Sequence, residues 1–201
     1  MPVSLGDAAL VISECQRGVL DADVAVFPGI AQHAAERGVV DNIAALAHAF
    51  RNAGRPVVHC LIEHREDLAG VRPNSLLGSL ALKHRRMIVG TPDVEVPPPI
   101  APRPGDFVSS RATGITAFYG TDLDATLRLQ GVDALVVTGV STNVALPGMT
   151  IEAVNRGYSV LIPEDATAGN SPETHAFMID NLLSLLARMT TTKDVIAQLT
   201  G

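Results

Sequence analysis

The chain has 201 residues, of which 47% are hydrophobic and 18% are charged. This composition argues against a disordered protein and is sufficient for a single domain with a sizeable core, predicted to span residues 1–201. The formal net charge of −6 argues against a general affinity for nucleic acid or acidic membranes.

Apolar runs alternate with helical patterns along the chain. The apolar runs predict six strands, at residues 8–13, 56–62, 106–109, 133–138, 158–163 and 189–191. Helical patterns lie at residues 39–51, 75–83, 121–130, 143–156, 172–187 and 192–199. Residues 64–104 are the least regular, and their prolines predict an extended surface connection after residue 90.

Strands that alternate with helices predict a parallel sheet covered on both faces. We therefore expect an α/β fold, a three-layer α/β/α domain with a mostly parallel six-stranded sheet. Such sheets bind ligands beyond the carboxyl ends of their strands. That rule points to five places, at residues 13–16, 62–65, 109–111, 139–143 and 163–166.

Three ordered segments carry a resemblance to a known family. They read VISECQRGV from residue 11, PGDFVSSRATGITAFYGTDLDATLR from residue 104, and GVSTNVA from residue 139. Together they closely resemble the isochorismatase-like hydrolases, also called the cysteine hydrolase superfamily, which includes nicotinamidases, N-carbamoyl amidohydrolases and isochorismatases. The resemblance implies a Rossmann-like fold, hydrolysis of a small molecule, and a homodimer or homotetramer.

The resemblance also exposes a departure at the catalytic positions. Amidase members use an aspartate, a lysine and a nucleophilic cysteine, where this sequence has Glu14, Arg111 and Ala145. Because alanine carries no nucleophile, cysteine-type covalent catalysis is excluded at position 145. Isochorismatases in this family also work without that cysteine, since the carboxylate of the first motif protonates a vinyl ether. The likeness thus implies that Glu14 is a general acid/base.

The chemistry of Glu14 and Arg111 favours an anionic substrate. Apolar walls favour a protonated carboxyl, as acid catalysis requires, whereas a neighbouring Arg111 favours the carboxylate. Arginine stays charged, so it cannot relay protons, but its guanidinium suits two parallel hydrogen bonds to a substrate carboxylate. We therefore expect Arg111 to be an anion anchor for a small carboxylate. The alternative is a structural ion pair that closes the end of the sheet.

The remaining expected site residues come from the same likeness. It implies a cis peptide between Val140 and Ser141 and an oxyanion hole of backbone N–H groups, and it makes six residues candidates for substrate binding: Gln16, Phe118, Val140, Ser141, Thr142 and Asn143. Without the likeness, Ser141 or Thr142 would cap the following helix, and Phe118 would be ordinary packing.

We expect neither a metal nor a cofactor. Nicotinamidases of the family bind a metal through an Asp-x-His pattern. Here His64 matches the histidine, but Ile62 occupies the aspartate position, and an alkyl group cannot ligate a metal. His64 is then a surface or pocket-rim residue. The chain also lacks the glycine-rich motifs of nucleotide-binding loops.

Localisation follows from the termini and the cysteines. Residues 1–6 lack the features of a signal peptide, and no apolar run is long enough to span a membrane. Cys15 and Cys60 lie in or beside predicted strands, where a core role is expected. We therefore expect a cytoplasmic protein without membrane or nucleic-acid partners.

Three functions remain open on these grounds. The first is a hydrolase that acts without a cysteine nucleophile. The second is a catalytically inactive homologue that binds a ligand or a regulatory partner. The third is a hydrolase in which Ser141, Thr142 or a cysteine replaces the lost nucleophile.

Overall fold

A parallel β-sheet forms the centre of the computed structural model, which describes residues 5–200. Residues 1–4, part of the segment assessed above for a signal peptide, lie outside the described residues, as does residue 201. The strands are β1 (Ala8–Ser13), β2 (Val57–Ile62), β3 (Phe107–Arg111), β4 (Ala134–Val140), β5 (Ser159–Pro163), β6 (Thr167–Ala168) and β7 (Arg188–Thr190). Their order is β3-β2-β1-β4-β5-β7, which places β3 at one edge. The two-residue β6 pairs beside the end of β4.

The expected α/β fold with a parallel sheet is confirmed, with one difference. The sheet has seven strands rather than six, because Thr167 and Ala168 pair in parallel with Gly139 and Val140. A strand of two residues is too short to show an apolar period in the sequence. Its effect is local, since it continues the sheet past the end of β5, next to the turn that follows β4.

Helices cover both faces of the sheet. They are α1 (Arg17–Leu20), α2 (Pro28–Glu36), α3 (Val39–Asn52), α4 (Leu76–His84), α5 (Leu123–Leu129), α6 (Ala145–Asn155), α7 (Pro172–Met178), α8 (Ser184–Leu186) and α9 (Thr192–Thr200). None of these helices is long and apolar enough to cross a membrane. The helices α1 and α2 are absent from the sequence prediction, although α2 begins with the proline that favours a first helical position.

Side chains of β1 alternate between two apolar cores. Leu10 and Ile12 point into the core beneath α2, α3 and α9, whereas Ala9 and Val11 point into the core beneath α5 and α6. Every residue of β1 is buried, as expected of a central parallel strand covered on both faces. Strands buried on both faces run parallel in this sheet, so all their carboxyl ends meet at the same end of the sheet.

The two cysteines belong to these cores. Cys15 lies in the core on the α3 side and Cys60 in the opposite one, so the expected core role is confirmed for both. Burial raises the pKa of each thiol to about 12, and the negative charge of Glu14 adds to the shift. Both thiols are therefore protonated at neutral pH, which makes them poor nucleophiles.

Buried hydrogen bonds hold the turn between β4 and α6 in place. A cis peptide joins Val140 to Ser141, as expected. The hydroxyl of Thr142 lies 3.2 Å from Nδ1 of the buried His175, and its N–H donates to the carbonyl of Ala168 at 2.9 Å. Because α6 begins at Ala145 and its cap offers no side-chain hydrogen bond, the alternative interpretation of Ser141 or Thr142 as a helix cap is wrong.

His175 is neutral in this setting. Burial, together with the nearby charge of Arg37 and a smaller effect of His33, lowers its pKa to about 4. In a neutral imidazole one ring nitrogen donates and the other accepts, so Nδ1 of His175 forms one hydrogen bond with the hydroxyl of Thr142.

The burial of the cysteines generates a first prediction. Iodoacetamide at neutral pH should label neither Cys15 nor Cys60 in the native protein, because both thiols are buried and protonated, and should label both in urea. Intact-protein mass spectrometry counts the adducts. A single rapid adduct on the native protein would contradict this assignment and revive a cysteine as the substitute nucleophile.

The state of His175 generates a second prediction. Its pKa is about 4 in the folded chain and about 6.5 when unfolded, so the unfolded state binds the extra proton first as the pH falls. Stability from this group is complete above pH ~6.5 and declines toward pH ~4, by about 3 kcal/mol in all. Urea denaturation of His175→Asn should show a correspondingly weaker acid dependence. His84→Asn, at an exposed position of α4, should behave as the wild type.

Candidate active site

A cavity of about 840 Å³ lies at the carboxyl end of the sheet. Polar residues from the ends of β1, β2, β3 and β4 line it, and these are Glu14, His64, Arg111, Ser141 and Asn143. The cavity therefore lies at the edge that the strand directions predict.

Glu14 is the first residue after β1, and its backbone is unusual. Its φ angle is +53°, a left-handed value that non-glycine residues rarely adopt. The N–H group of Glu14 donates to the carbonyl of Cys60 at 2.9 Å. This bond ties the strained residue to β2 and directs its carboxylate into the cavity, a combination characteristic of functional positions.

Arg111, at the end of β3, reaches over β2 to Glu14. Its Nη2 donates to Oε1 of Glu14 at 2.5 Å. The Arg111 side chain is only 6% exposed, and its Nε and Nη1 groups have no hydrogen-bond partner among the described residues. Unpaired buried donors are unfavourable, so this guanidinium has hydrogen-bonding capacity that Glu14 does not use.

Gln16 is fully buried and lies outside the cavity lining. Its Nε2 donates to the carbonyls of Ile62 at 2.9 Å and Val94 at 3.1 Å, while its Oε1 accepts from the N–H of Ile62 at 2.8 Å. These bonds use the side-chain amide to join the end of β2 to the turn at Pro92–Val94. The structure therefore gives Gln16 backbone contacts in the place of the expected substrate contact.

The turn after β4 divides into lining and supporting residues. Ser141, Asn143 and Ala145 line the cavity, whereas Val140 and Thr142 are buried beneath it. Among residues 5–200, no acceptor pairs with the N–H groups of Asn143 and Ala145. Two free N–H groups at the start of α6 are the kind of donors that form an oxyanion hole.

Phe118 is in the core rather than in the cavity. Its ring stacks on Tyr158 with centroids 6.2 Å apart, and the guanidinium of Arg156 lies 4.6 Å from its centroid on the ring face. The neighbouring Tyr119 lines the cavity instead and is largely exposed. The resemblance implies an aromatic wall from Phe118 and Tyr119, and of these two residues Tyr119 lines the cavity whereas Phe118 packs in the core.

The metal position of related enzymes offers no ligand set here. Nδ1 of His64 contacts the carbonyl of Ala112 at 3.0 Å, and the alkyl side chain of Ile62 lines the cavity. Within residues 5–200, no group of three His, Cys, Asp or Glu side chains is arranged to hold a metal ion.

Sequence reasoning missed the apolar wall of the cavity. This wall comes from α4, from the start of α2 and from the segment after α4, and its members include Phe27, Ile30, Leu76, Leu77, Leu80 and Met87. The helix α4 corresponds to the helical pattern at residues 75–83, which carried no predicted role in the site. Its apolar sequence, LLGSLAL, was the available signal, because a surface helix so rich in leucine requires something to cover it.

Comparisons with known proteins agree with this geometry. The family model described as Isochorismatase domain matches residues 8–194. The isochorismatase family protein YecD of Escherichia coli O157:H7 is 29% identical over 197 residues, which cover 94% of each chain. The ureidoacrylate amidohydrolase RutB of Variovorax paradoxus (strain S110) is 31% identical over 176 residues, covering 80% of this chain and 68% of that protein.

Among solved structures, that of an isochorismatase family protein from Desulfovibrio vulgaris superposes with a TM-score of 0.83 at 26% identity. The superposition covers 97% of this chain and 99% of the other. The family match spans nearly the whole sheet, from the first residue of β1 into α9, and includes every strand that contributes to the cavity. The chain therefore belongs to the isochorismatase family of hydrolases.

Proposed function

We propose that the protein hydrolyses a small carboxylate without a cysteine nucleophile, with Glu14 as general acid/base and Arg111 as anion anchor. The observation that carries this proposal is the buried Arg111 guanidinium beside the cavity, which holds Glu14 through Nη2 and has no partner for Nε and Nη1 among the described residues. A purely structural ion pair would leave those two donors buried and unsatisfied, at a cost of about 1–3 kcal/mol each.

The absence of a nucleophile at position 145 requires water to react directly. Ala145 lies on the cavity wall at the start of α6, where it contributes a methyl group. No covalent intermediate forms there, because alanine has neither a hydroxyl nor a thiol. Buried and protonated, Cys15 and Cys60 are poor substitutes, and the hydroxyl of Thr142 is committed to His175.

For an enol-ether substrate, Glu14 acts as the acid. Its proton adds to the terminal carbon of the double bond, and the positive charge develops on the ether carbon and oxygen. Water adds to that carbon and returns a proton to Glu14. The hemiketal then collapses to a carbonyl compound and an alcohol, which completes the addition of one water. Binding of the substrate carboxylate to Arg111 assists, because a second negative charge beside the guanidinium favours the protonated form of Glu14.

Hydrolysis of a C–N bond is the second candidate reaction. It is favoured by the unpaired N–H groups of Asn143 and Ala145, which can stabilise the oxyanion formed when water attacks an amide carbonyl. Similarity to an amidohydrolase such as RutB of Variovorax paradoxus supports the same class. In this reaction Glu14 takes the proton from the attacking water and delivers it to the leaving nitrogen.

We assign the remaining expected residues to positioning or to the wall. Gln16 fixes the end of β2, and Thr142 supports the turn from below. Ser141 and Asn143 contact the substrate, with the side-chain oxygen of Asn143 also accepting from the N–H of Asn170 at 2.7 Å. We further propose that the chain is a single domain and forms a cytoplasmic homodimer or homotetramer, in keeping with its free cysteines and with the exposed apolar Phe177 and Leu185 outside the cavity.

The role of Glu14 is tested by Glu14→Gln, which preserves the shape of the side chain and can still accept a hydrogen bond from Arg111. Wild type and variant are screened by thermal shift against carboxylated enol ethers, primary amides and N-carbamoyl acids. Turnover assays follow on every stabilising compound. We expect a carboxylate that both proteins bind and that the variant consumes at least about a hundredfold more slowly, as loss of a general acid or base requires.

The matched control is Glu66→Gln, which changes an exposed carboxylate outside the cavity lining and should retain full turnover. Undiminished turnover by Glu14→Gln would contradict the assignment of Glu14. Ligands that stabilise both proteins and are never consumed would instead identify a catalytically inactive binding homologue.

A further inference from the structure

The cavity has two chemically distinct parts. The strand ends and the turn after β4 contribute the polar groups Glu14, Arg111 and Ser141, together with the small apolar Ala145. Most of the large apolar residues come from elements outside the sheet, namely α1, the start of α2, α4 and the segment that follows α4, which also carry Arg72 and Arg86. A ligand that satisfies both parts must itself have a charged end and an apolar body.

The size of the cavity supports the same conclusion. Pockets for drug-sized ligands measure roughly 300–1,000 Å³, and this one, at about 840 Å³, lies in the upper part of that range. A short carboxylate bound to Arg111 fills only the polar part. The leucine-rich wall would then remain in contact with water, without contributing to affinity.

The helix α4 makes the apolar part a ligand surface rather than a core. None of its residues is buried, and Leu76 is 71% exposed, although the helix carries four leucines. Leu76, Leu77 and Leu80 all line the cavity. A Cβ on Gly18 of α1 would lie 2.4 Å from Sδ of Met87, so the glycine permits α1 to close against the segment after α4.

Three arginines line the cavity, and Arg111 is the one at the sheet end. Arg72 is exposed, and Arg86 forms an ion pair with Asp93 at 2.9 Å, although its Nε has no hydrogen-bond partner among the described residues. Arg111 lies beside Glu14, the proposed acid/base, so a substrate carboxylate on Arg111 brings the reacting bond near that group. The geometry points to an amphipathic carboxylate as the substrate, with its carboxylate on Arg111 and a long alkyl or an aryl body against α4. This inference rests on the proposed function and specifies its substrate class.

The test uses acids without a scissile bond, so that binding is measured apart from turnover. Calorimetric titration of the wild type compares butyrate, hexanoate and octanoate, with hexanol as the probe that lacks a carboxylate. Affinity should rise about fourfold per methylene, which corresponds to about 0.8 kcal/mol per buried methylene. Hexanol should bind about tenfold or more weakly than hexanoate, because it cannot form the charged hydrogen bonds to Arg111.

Paired leucine variants locate the apolar body. Leu80→Asn on the wall should weaken octanoate about tenfold while changing butyrate little. Leu129→Asn is the matched control, since Leu129 is 85% exposed on α5 and lies outside the cavity lining. Leu77→Asn is a second wall variant in case Leu80→Asn unfolds, and circular dichroism melting verifies each protein. An affinity that stays flat from butyrate to octanoate, or equal losses at Leu80 and Leu129, would overturn the inference.

A double variant separates this inference from the proposed function. Glu14→Gln/Arg111→Gln removes both charges of the ion pair together, and it should weaken every acid about tenfold or more while leaving the gain per methylene unchanged. If the wild type gains nothing from chain length but the double variant still loses affinity, the anion anchor stands and the amphipathic substrate is rejected. If the double variant binds every acid as the wild type does, the anion anchor itself is rejected.

Discussion

The hydrogen bond between Arg111 and Glu14 is the constraint on which the rest of the site depends. It joins the ends of β1 and β3 across β2, and it can form only because Ser13 pairs with Cys60 and Ile62 with Arg111 in register. A slip of one residue in either pairing would turn a side chain to the opposite face. Since a buried arginine without a partner is strongly unfavourable, the ion pair also favours the correct register.

In the proposed function, the same interaction determines what the cavity binds. Arg111 donates one nitrogen to Glu14, and its Nε and Nη1 groups, which have no partner among the described residues, are the proposed donors to a substrate carboxylate. The apolar wall of α4 complements this arrangement, because it contributes apolar surface to the cavity. The proposed recognition thus has an electrostatic part set by the sheet and an apolar part set by elements outside the sheet.

The sequence predicted the sheet and the ion pair because both follow from local patterns. Apolar runs locate parallel strands, and the polar residues after them must meet at one edge, which brings Glu14 and Arg111 together. Gln16 was assigned to the substrate from the family resemblance, and its contact with Val94 could not be predicted because Val94 lies 78 residues away and no local pattern links the two. Whether Phe118 or Tyr119 faces the cavity depends on the backbone angles of an irregular turn, and no periodic pattern in the sequence reveals those angles.

The position of β3 at the edge of the sheet has a consequence for regulation of the site. An edge strand can detach by breaking a single ladder, here that of five residues with β2, while the central strands stay paired. Such partial opening requires less free energy than global unfolding. Detachment of β3 would move the Arg111 guanidinium away from Glu14 and abolish the proposed anion binding, while the apolar cores remain folded. The proposed site is therefore divided between central strands of the sheet and an edge strand.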